Sequence, residues 1–307
     1  MKSAVLAIVL TLLAATAALA QNRVFVSAAH GDDTADCSVT TPCRSFAHAM
    51  AVVTTAGEIL ALDSGGYGPV SITRPVSIVA PPGVEASITQ TGAGLNAINI
   101  NVTNAFTTVM LRGLSLFGLG QGDGGINITN AFALYVDSCT ITGFTQFGIY
   151  MNVSSGSTIS MTNSTVIQNA NIGILLTGFA GNSAKFDIDH CHIENNVFYN
   201  LALQTGSRGT IRDSRVSGGQ KGIDLTVAVG TAVVQIENCT VTRNATGISA
   251  ATSSGGTATA RVSNCLIANN ALGVNAADAG SSIYTRANNT LIDNTTDGTF
   301  TTTYSAH

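Results

Sequence analysis

The chain has 307 residues, 10% of them charged, with a formal net charge of −4, so nothing favours nucleic acid or an anionic membrane as a partner. The apolar fraction of 45% excludes a disordered chain. With 32 Gly and no Trp, the composition suits turns and ladders better than a helical globule.

Met1–Ala20 reads as an export signal. Lys2 is the basic start, Ala4–Ala17 the apolar core and Ala18-Leu19-Ala20 the cleavage site. That apolar run is too short for a membrane span and no second run follows. These features predict an exported protein, extracellular or periplasmic. Residues 21–57 then form an N-terminal unit. Val24-Phe25-Val26 is a first strand, and Asp32, Asp33 and Asp36 crowd a polar loop. Such oxygen ligands suit calcium, although the spacing matches no complete ligand set and a solvated loop carries the same residues. Cys37 and Cys43 bracket the loop, and in an exported chain they predict a disulfide. Arg44–Val53 follows Pro42 and places Phe46, Ala49, Met50 and Val53 at helical spacing. A short helix there would cover one end of the fold to come. His48 on it reads as surface or packing.

Residues 58–307 carry strands throughout. The first are Glu58–Leu62, Val70–Thr73, Val76–Val79 and Ala86–Ile88, punctuated by every remaining proline. Gly118–Gly125 is a glycine-rich turn that could be mistaken for a phosphate or calcium loop, but no helix follows it. From Val109 a repeat is explicit. Marker positions fall at Leu114, Cys139, Ser164, Cys191, Ser214, Cys239, Cys265 and Asn289, spaced by 23 to 27 residues. Two residues beyond each marker stands an aliphatic, from Leu116 to Leu291; three before it stands another in every copy but the last. Five beyond it stands Asn169, Asn196, Asn244, Asn270 or Asn294 in five of the eight. A period of this length means stacked units. Inside each unit the period is two and the residues are mostly Val and Ile, which means short strands. No helical pattern follows, as a leucine-rich repeat would need, and no six-residue period supports a left-handed β-helix. The expected fold is therefore all-β, a single-stranded right-handed parallel β-helix with a short N-terminal capping helix and stacked Asn side chains.

The Cys-bracketed loop, Pro42-Cys43-Arg44-Ser45-Phe46, Asp63-Ser64-Gly65-Gly66-Tyr67-Gly68-Pro69-Val70 and the repeats together resemble the pectate-lyase-like parallel β-helix proteins of bacteria. The resemblance covers the chain beyond the export signal. It implies the fold and a place among polysaccharide lyases, glycoside hydrolases, uronate epimerases and secreted members without an assigned activity. The Asn-Thr-Asp, Gly-His-Gly, Arg-Ile-Lys and Asp-Pro-His-Asp motifs of such enzymes do not occur here, so no functional residue is carried over.

Reading columns across copies places Thr162, Asp189, Arg212, Glu237 and Ser263 in one line, and Thr165, His192, Arg215 and Thr240 in another. Asp189, His192, Glu194 and Glu237 are thus candidate catalytic groups and Arg212 and Arg215 candidate substrate-binding groups on one outer face. The competing reading is an ion-pair ladder worth little in stability. Tyr150, Phe198 and Tyr199 are candidate sugar-stacking rings. Cys139, Cys191, Cys239 and Cys265 read as a packing column, with only Cys239 and Cys265 on adjacent coils; no metal-ligand set is recognised. The functional expectation is a polysaccharide-binding or polysaccharide-processing protein acting on acidic glycans, the alternative a non-catalytic surface, matrix or adhesion scaffold.

Overall fold

The computed structural model describes residues 21–153, 156–178 and 184–305; the expected export signal lies outside them. Among the described residues the chain winds through three parallel sheets. The first sheet has twelve strands from Gln21–Val26 to Thr302–Thr303, the second ten from Gly65–Gly66 to Thr290–Ile292, and the third nine from Val70–Ile72 to Leu272–Ala276. Every neighbour in a sheet comes from the next coil, so the molecule is a parallel β-solenoid. No described helix is long and apolar enough to cross a membrane.

The aliphatic columns face inward. Ile188 pairs in register with Met161 and Ile211, Ile193 with Val166 and Val216, and all six are buried. Each such side chain removed from water contributes roughly 1.5–3 kcal/mol. The first column begins earlier than the repeat suggests. Val24, Ile59 and Ile78 stack beneath Leu111 in unbroken register, and stacking starts at the first described strand. The prolines before residue 83 fall between strands and do not interrupt this sheet.

Two sharp turns close each coil. The residue before the marker is left-handed in six successive coils: Ser138, Asn163, His190, Asp213, Asn238 and Asn264, with φ between 48° and 56°. The marker itself has a reason to be small and polar. Ser164 Oγ accepts from Cys139 N at 3.0 Å, and Ser214 Oγ from Cys191 N at 3.0 Å. Cys265 Sγ lies 3.4 Å from Cys239 N, and Asn289 Oδ1 accepts from Cys265 N at 2.8 Å. The thiols in turn point at carbonyls, as from Cys191 to Asp189 O at 3.1 Å. All four are unpaired and buried. Burial pushes the Cys139 thiol up to about 12 and that of Cys191 up to about 11. Cys239 is also raised, by its contact with Cys265 and by burial.

At the second turn the Asn side chains form the expected ladder. Asn169 N and Nδ2 donate to Asn196 Oδ1 at 3.1 and 2.8 Å, and Asn244 and Asn270 repeat the arrangement upward to Asn294. The coil marked by Ser214 has Gly219 where the Asn belongs. Asn200, from the coil before, fills the gap: its Oδ1 accepts from Asn196 N and Nδ2, and its Nδ2 donates to Asn244 Oδ1 at 3.1 Å.

The N-terminal unit forms a helix over Phe46–Val52, shorter than the expected Arg44–Val53. Asp33 explains the difference. Its carboxylate takes the N–H groups of Arg44 and Ser45, at 2.8 and 2.9 Å, into the loop, and Ser45 becomes the N-cap. Phe46, Ala49 and Met50 face the starting strands of the first and third sheets, and Phe46 stacks on Tyr67 at 4.9 Å. Asp32 and Asp36 bond within their own loop, to Thr34 and to Ser38 and Thr41. Cys37 and Cys43 are disulfide-bonded, with Cα atoms 4.6 Å apart. Reduction, or Cys37→Ser, is expected to lower stability by about 2–3 kcal/mol, read from denaturant melts with and without reductant.

Candidate functional site

The site residues gather at the corner between the first and second sheets. Asp189 ends its strand in the first sheet; a left-handed His190 turns the chain; His192 opens the next strand in the second. The next coil repeats this with Arg212, Asp213 and Arg215. Asp189, Arg212 and Glu237 are direct register partners, as are His192 and Arg215. The six residues thus form two lines flanking a turn, where alternation alone placed them on one face.

Their bonding is specific. Arg212 Nε lies 3.4 Å from Asp189 Oδ1, and its Nη2 lies 3.3 Å from Asp187 Oδ2. These two carboxylates raise the Arg212 pKa. The other register partner, Glu237, makes no ion pair among the described residues, so the Asp189–Arg212–Glu237 ladder is closed on one side only. Glu194 is the hub of the second line. It lies 3.2 Å from His192 Nδ1 and 3.0 Å from Arg215 Nε, and it accepts from Ser217 Oγ at 3.1 Å. The Arg215 contact is an ion pair without good hydrogen-bond alignment, since this buried Nε finds no acceptor in line. His192 is 61% exposed and Glu194 15%, so the imidazole presents to solvent what the carboxylate orients from below.

The corner continues toward the N-terminus. Arg112, Asp137, Thr162 and Asp189 occupy successive rungs. Arg112 Nε donates to Asp137 at 2.7 Å. Burial opposes the charge of Asp137, but bonds from Arg112, Asn163, Thr162 and Ser138 outweigh it and lower its pKa. A cleft of about 560 Å³ opens here between Pro81–Val84, Arg112 and Asp137.

Among the described residues two groups bring metal-ligating atoms within 4.8 Å of one another. Cys37, Cys43 and His48 form one, but both sulfurs are spent in the disulfide. Asp189, His190 and Asp213 form the other, a nitrogen and oxygen set on the turn. Column reading passed over it because His190 and Asp213 sit in the turn rather than on a strand. Tyr150 and Tyr199 lie on the third sheet, away from this corner, and Phe198 on the turn leading into that sheet.

The fold and this corner define a parallel β-helix protein. The model of the right-handed β-helix region matches residues 124–297, and the chain belongs to that family. Among solved structures it is similar to the pectate lyase Pel9A, with a TM-score of 0.68, 14% identity, and coverage of 94% of this chain and 79% of that one. It is also similar to XylC in complex with xylose, with a TM-score of 0.64, 9% identity, and coverage of 86% and 68%. ORF18 of Geobacillus virus E2 has a TM-score of 0.54 and 13% identity, over 76% of this chain and 50% of that one. At these identities the likeness is one of fold. No curated protein matches the chain in sequence.

Proposed function

We propose that the protein is an exported polysaccharide-binding and polysaccharide-processing β-helix protein whose glycan lies along the corner from the Pro81–Val84 cleft to Glu237. The observation that carries this is the line of ionisable groups on that corner, interrupted only at Thr162, in a chain of which only 10% of residues are charged. The likeness in fold to a pectate lyase supports it, and the disulfide supports a role outside the cytoplasm.

His192, oriented by Glu194, is the proton-transfer group of this reading. Asp189 and Glu237 stand two rungs apart, about 9–10 Å on the strand spacing, near the upper limit for an inverting pair of carboxylates. Arg212 and Arg215 position the sugar. Among the described residues the corner holds six carboxylates (Asp137, Asp187, Asp189, Glu194, Asp213 and Glu237) against four guanidinium groups (Arg112, Arg212, Arg215 and Arg243, which donates to Ser217). An acidic glycan approaching it needs a counter-cation, and calcium is the natural choice for such oxygen ligands.

The second reading is a non-catalytic scaffold. It is favoured by the ion pairs that already occupy Arg212 and Arg215. A polysaccharide panel with and without calcium separates the two, read for reducing ends and for the ultraviolet absorbance of unsaturated uronates. Turnover that falls about 100-fold in His192→Ala and falls also in Arg212→Ala is the expected result. Turnover unchanged in both removes the corner as the site, and binding without turnover selects the scaffold.

A further inference from the structure

The outward side of the third sheet carries a feature that the corner does not use. Phe147 and Tyr150 on one coil, Ile172 and Leu175 on the next, and Tyr199 on the third stand partly exposed among buried residues. The outer atoms of the Phe147 ring lie against Gly124 of the coil before. A Cβ added at Gly124, its register partner, would stand 2.1 Å from Phe147 Cε2, so a larger residue there would displace the ring. Tyr150 lies beside that ring, with centroids 5.1 Å apart. Tyr199 has Lys221 Nζ 5.5 Å from its ring centre, and Lys221 is held by Asp224 at 2.6 Å. That charge is therefore neutralised within the face.

Toward the N-terminus the same columns become amides. Asn127 Nδ2 donates to Asn99 Oδ1 at 3.3 Å, and Asn99 lines a cleft of about 380 Å³ together with Ser71 and Arg74. Arg74 donates through Nη2 to Met50 O, but its Nε is buried without any acceptor. A buried, unsatisfied donor on a cleft wall is costly unless something completes it. The aromatic stripe thus runs into a cleft that lacks one hydrogen-bond acceptor.

We propose that this face is a second glycan surface, distinct from the corner, that takes a neutral β-linked polysaccharide chain lying along the solenoid axis. The inference rests on the reading of the protein as glycan-binding. Phe147 and Tyr199 share a column two rungs apart, about 9–10 Å on the strand spacing. That separation is close to the two-sugar repeat of an extended β-1,4-linked chain, and it sets a ring beneath alternate sugars. The apolar faces of pyranose rings stack on flat aromatic side chains, and the Asn amides meet their hydroxyl edges. From Phe147 to Asp224 the stripe itself carries no unpaired charge, Lys221 being held by Asp224, so its rings suit a neutral chain; Arg74, which makes no ion pair among the described residues, lies beyond the stripe in the cleft at its N-terminal end. A sugar oxygen in the cleft would accept from Arg74 Nε.

The test is calorimetric titration of the mature protein with cellohexaose, xylohexaose and polygalacturonate. One neutral hexaose is expected to bind the wild type, at least tenfold more weakly in Tyr150→Ala and in Tyr199→Ala, and undiminished in Tyr150→Phe. Thermal unfolding should be unchanged in all three variants. Hexaose affinity that survives both alanine variants overturns this surface while leaving the protein a glycan binder. Binding or turnover of polygalacturonate alone overturns the surface and keeps the corner. Silence toward the whole panel overturns both. A concentration-dependent dimer in sedimentation that Tyr150→Ala abolishes would assign the stripe to a second copy of this chain, and the proposal would fall.

Discussion

Asn200→Gly is expected to lower stability by about 3–5 kcal/mol, although glycine stands at the equivalent place in neighbouring coils. Gly148, Gly173, Gly222, Gly247 and Gly273 share that column, and a consensus argument would favour the change. Glycine suits those coils because the ladder passes close by. At Gly173 an added Cβ would lie 2.5 Å from Asn196 Nδ2. Position 200 is the exception because Gly219 leaves the next rung without an amide. Removing the Asn200 side chain strands the buried Asn196 N–H and takes three further bonds with it. The decisive control is the double variant Asn200→Gly with Gly219→Asn, which restores the ordinary pattern. It should recover most of the loss, whereas Gly219→Asn alone should crowd Asn200 Nδ2, 2.7 Å from the new Cβ. Denaturant melts followed by circular dichroism compare the four proteins. A single variant as stable as the wild type would show that the ladder tolerates a gap.

Asp63→Asn is expected to cost about 2 kcal/mol at neutral pH and well under about 1 kcal/mol near pH 2. Asp63 ties the N-terminal unit to the stack. It accepts from Ser27 Oγ at 2.5 Å, from the N–H groups of Ala28 and Ala29, and from Tyr67 OH at 2.6 Å. Burial opposes its charge, but those bonds outweigh it and lower the carboxyl from 3.8 to about 2. Burial and the Asp63 carboxylate together push the Tyr67 hydroxyl up, so it remains a donor. A carboxyl lowered on folding contributes stability that is complete above its unfolded value. That contribution is lost as pH falls from 3.8 through about 2. The wild type and Asp63→Asn should therefore converge in acid. Melts at pH 7, 4 and 2 check this; a gap that stays constant with pH would mean that Asp63 acts by shape and not by charge.

Much of the corner could be read from the chain because the marker column carries register. Counting from Cys191 and Ser214 places Asp189 beside Arg212 and His192 beside Arg215, and both pairs are register partners. The count could not find Asp187 as a partner of Arg212, because that contact runs diagonally between columns. Nor could it separate the two sheets, because a left-handed His190 turns the chain between them. The third sheet was harder still. Gly148 and Ile149 are consecutive buried residues, which breaks the period of two on which face assignment depends. Tyr150 and Tyr199 therefore looked available to the corner. The role of Asn200 was hidden because the sequence reads Gly and Asn alike at that place as turn residues, whereas it is the second residue of the strand Tyr199–Leu203.

The detour through Asn200 also bears on how such a chain can change its length. Coils that bond only to their neighbours can be duplicated or lost as whole units, and recombination between similar repeats supplies such events readily. The segment from Asn196 to Asn244 does not obey that rule, because its middle coil borrows an amide from the one before. Copying or deleting that middle coil alone leaves either an empty rung or a surplus side chain. Lineages of this protein should therefore vary in coil number elsewhere and inherit 196–244 as a single block.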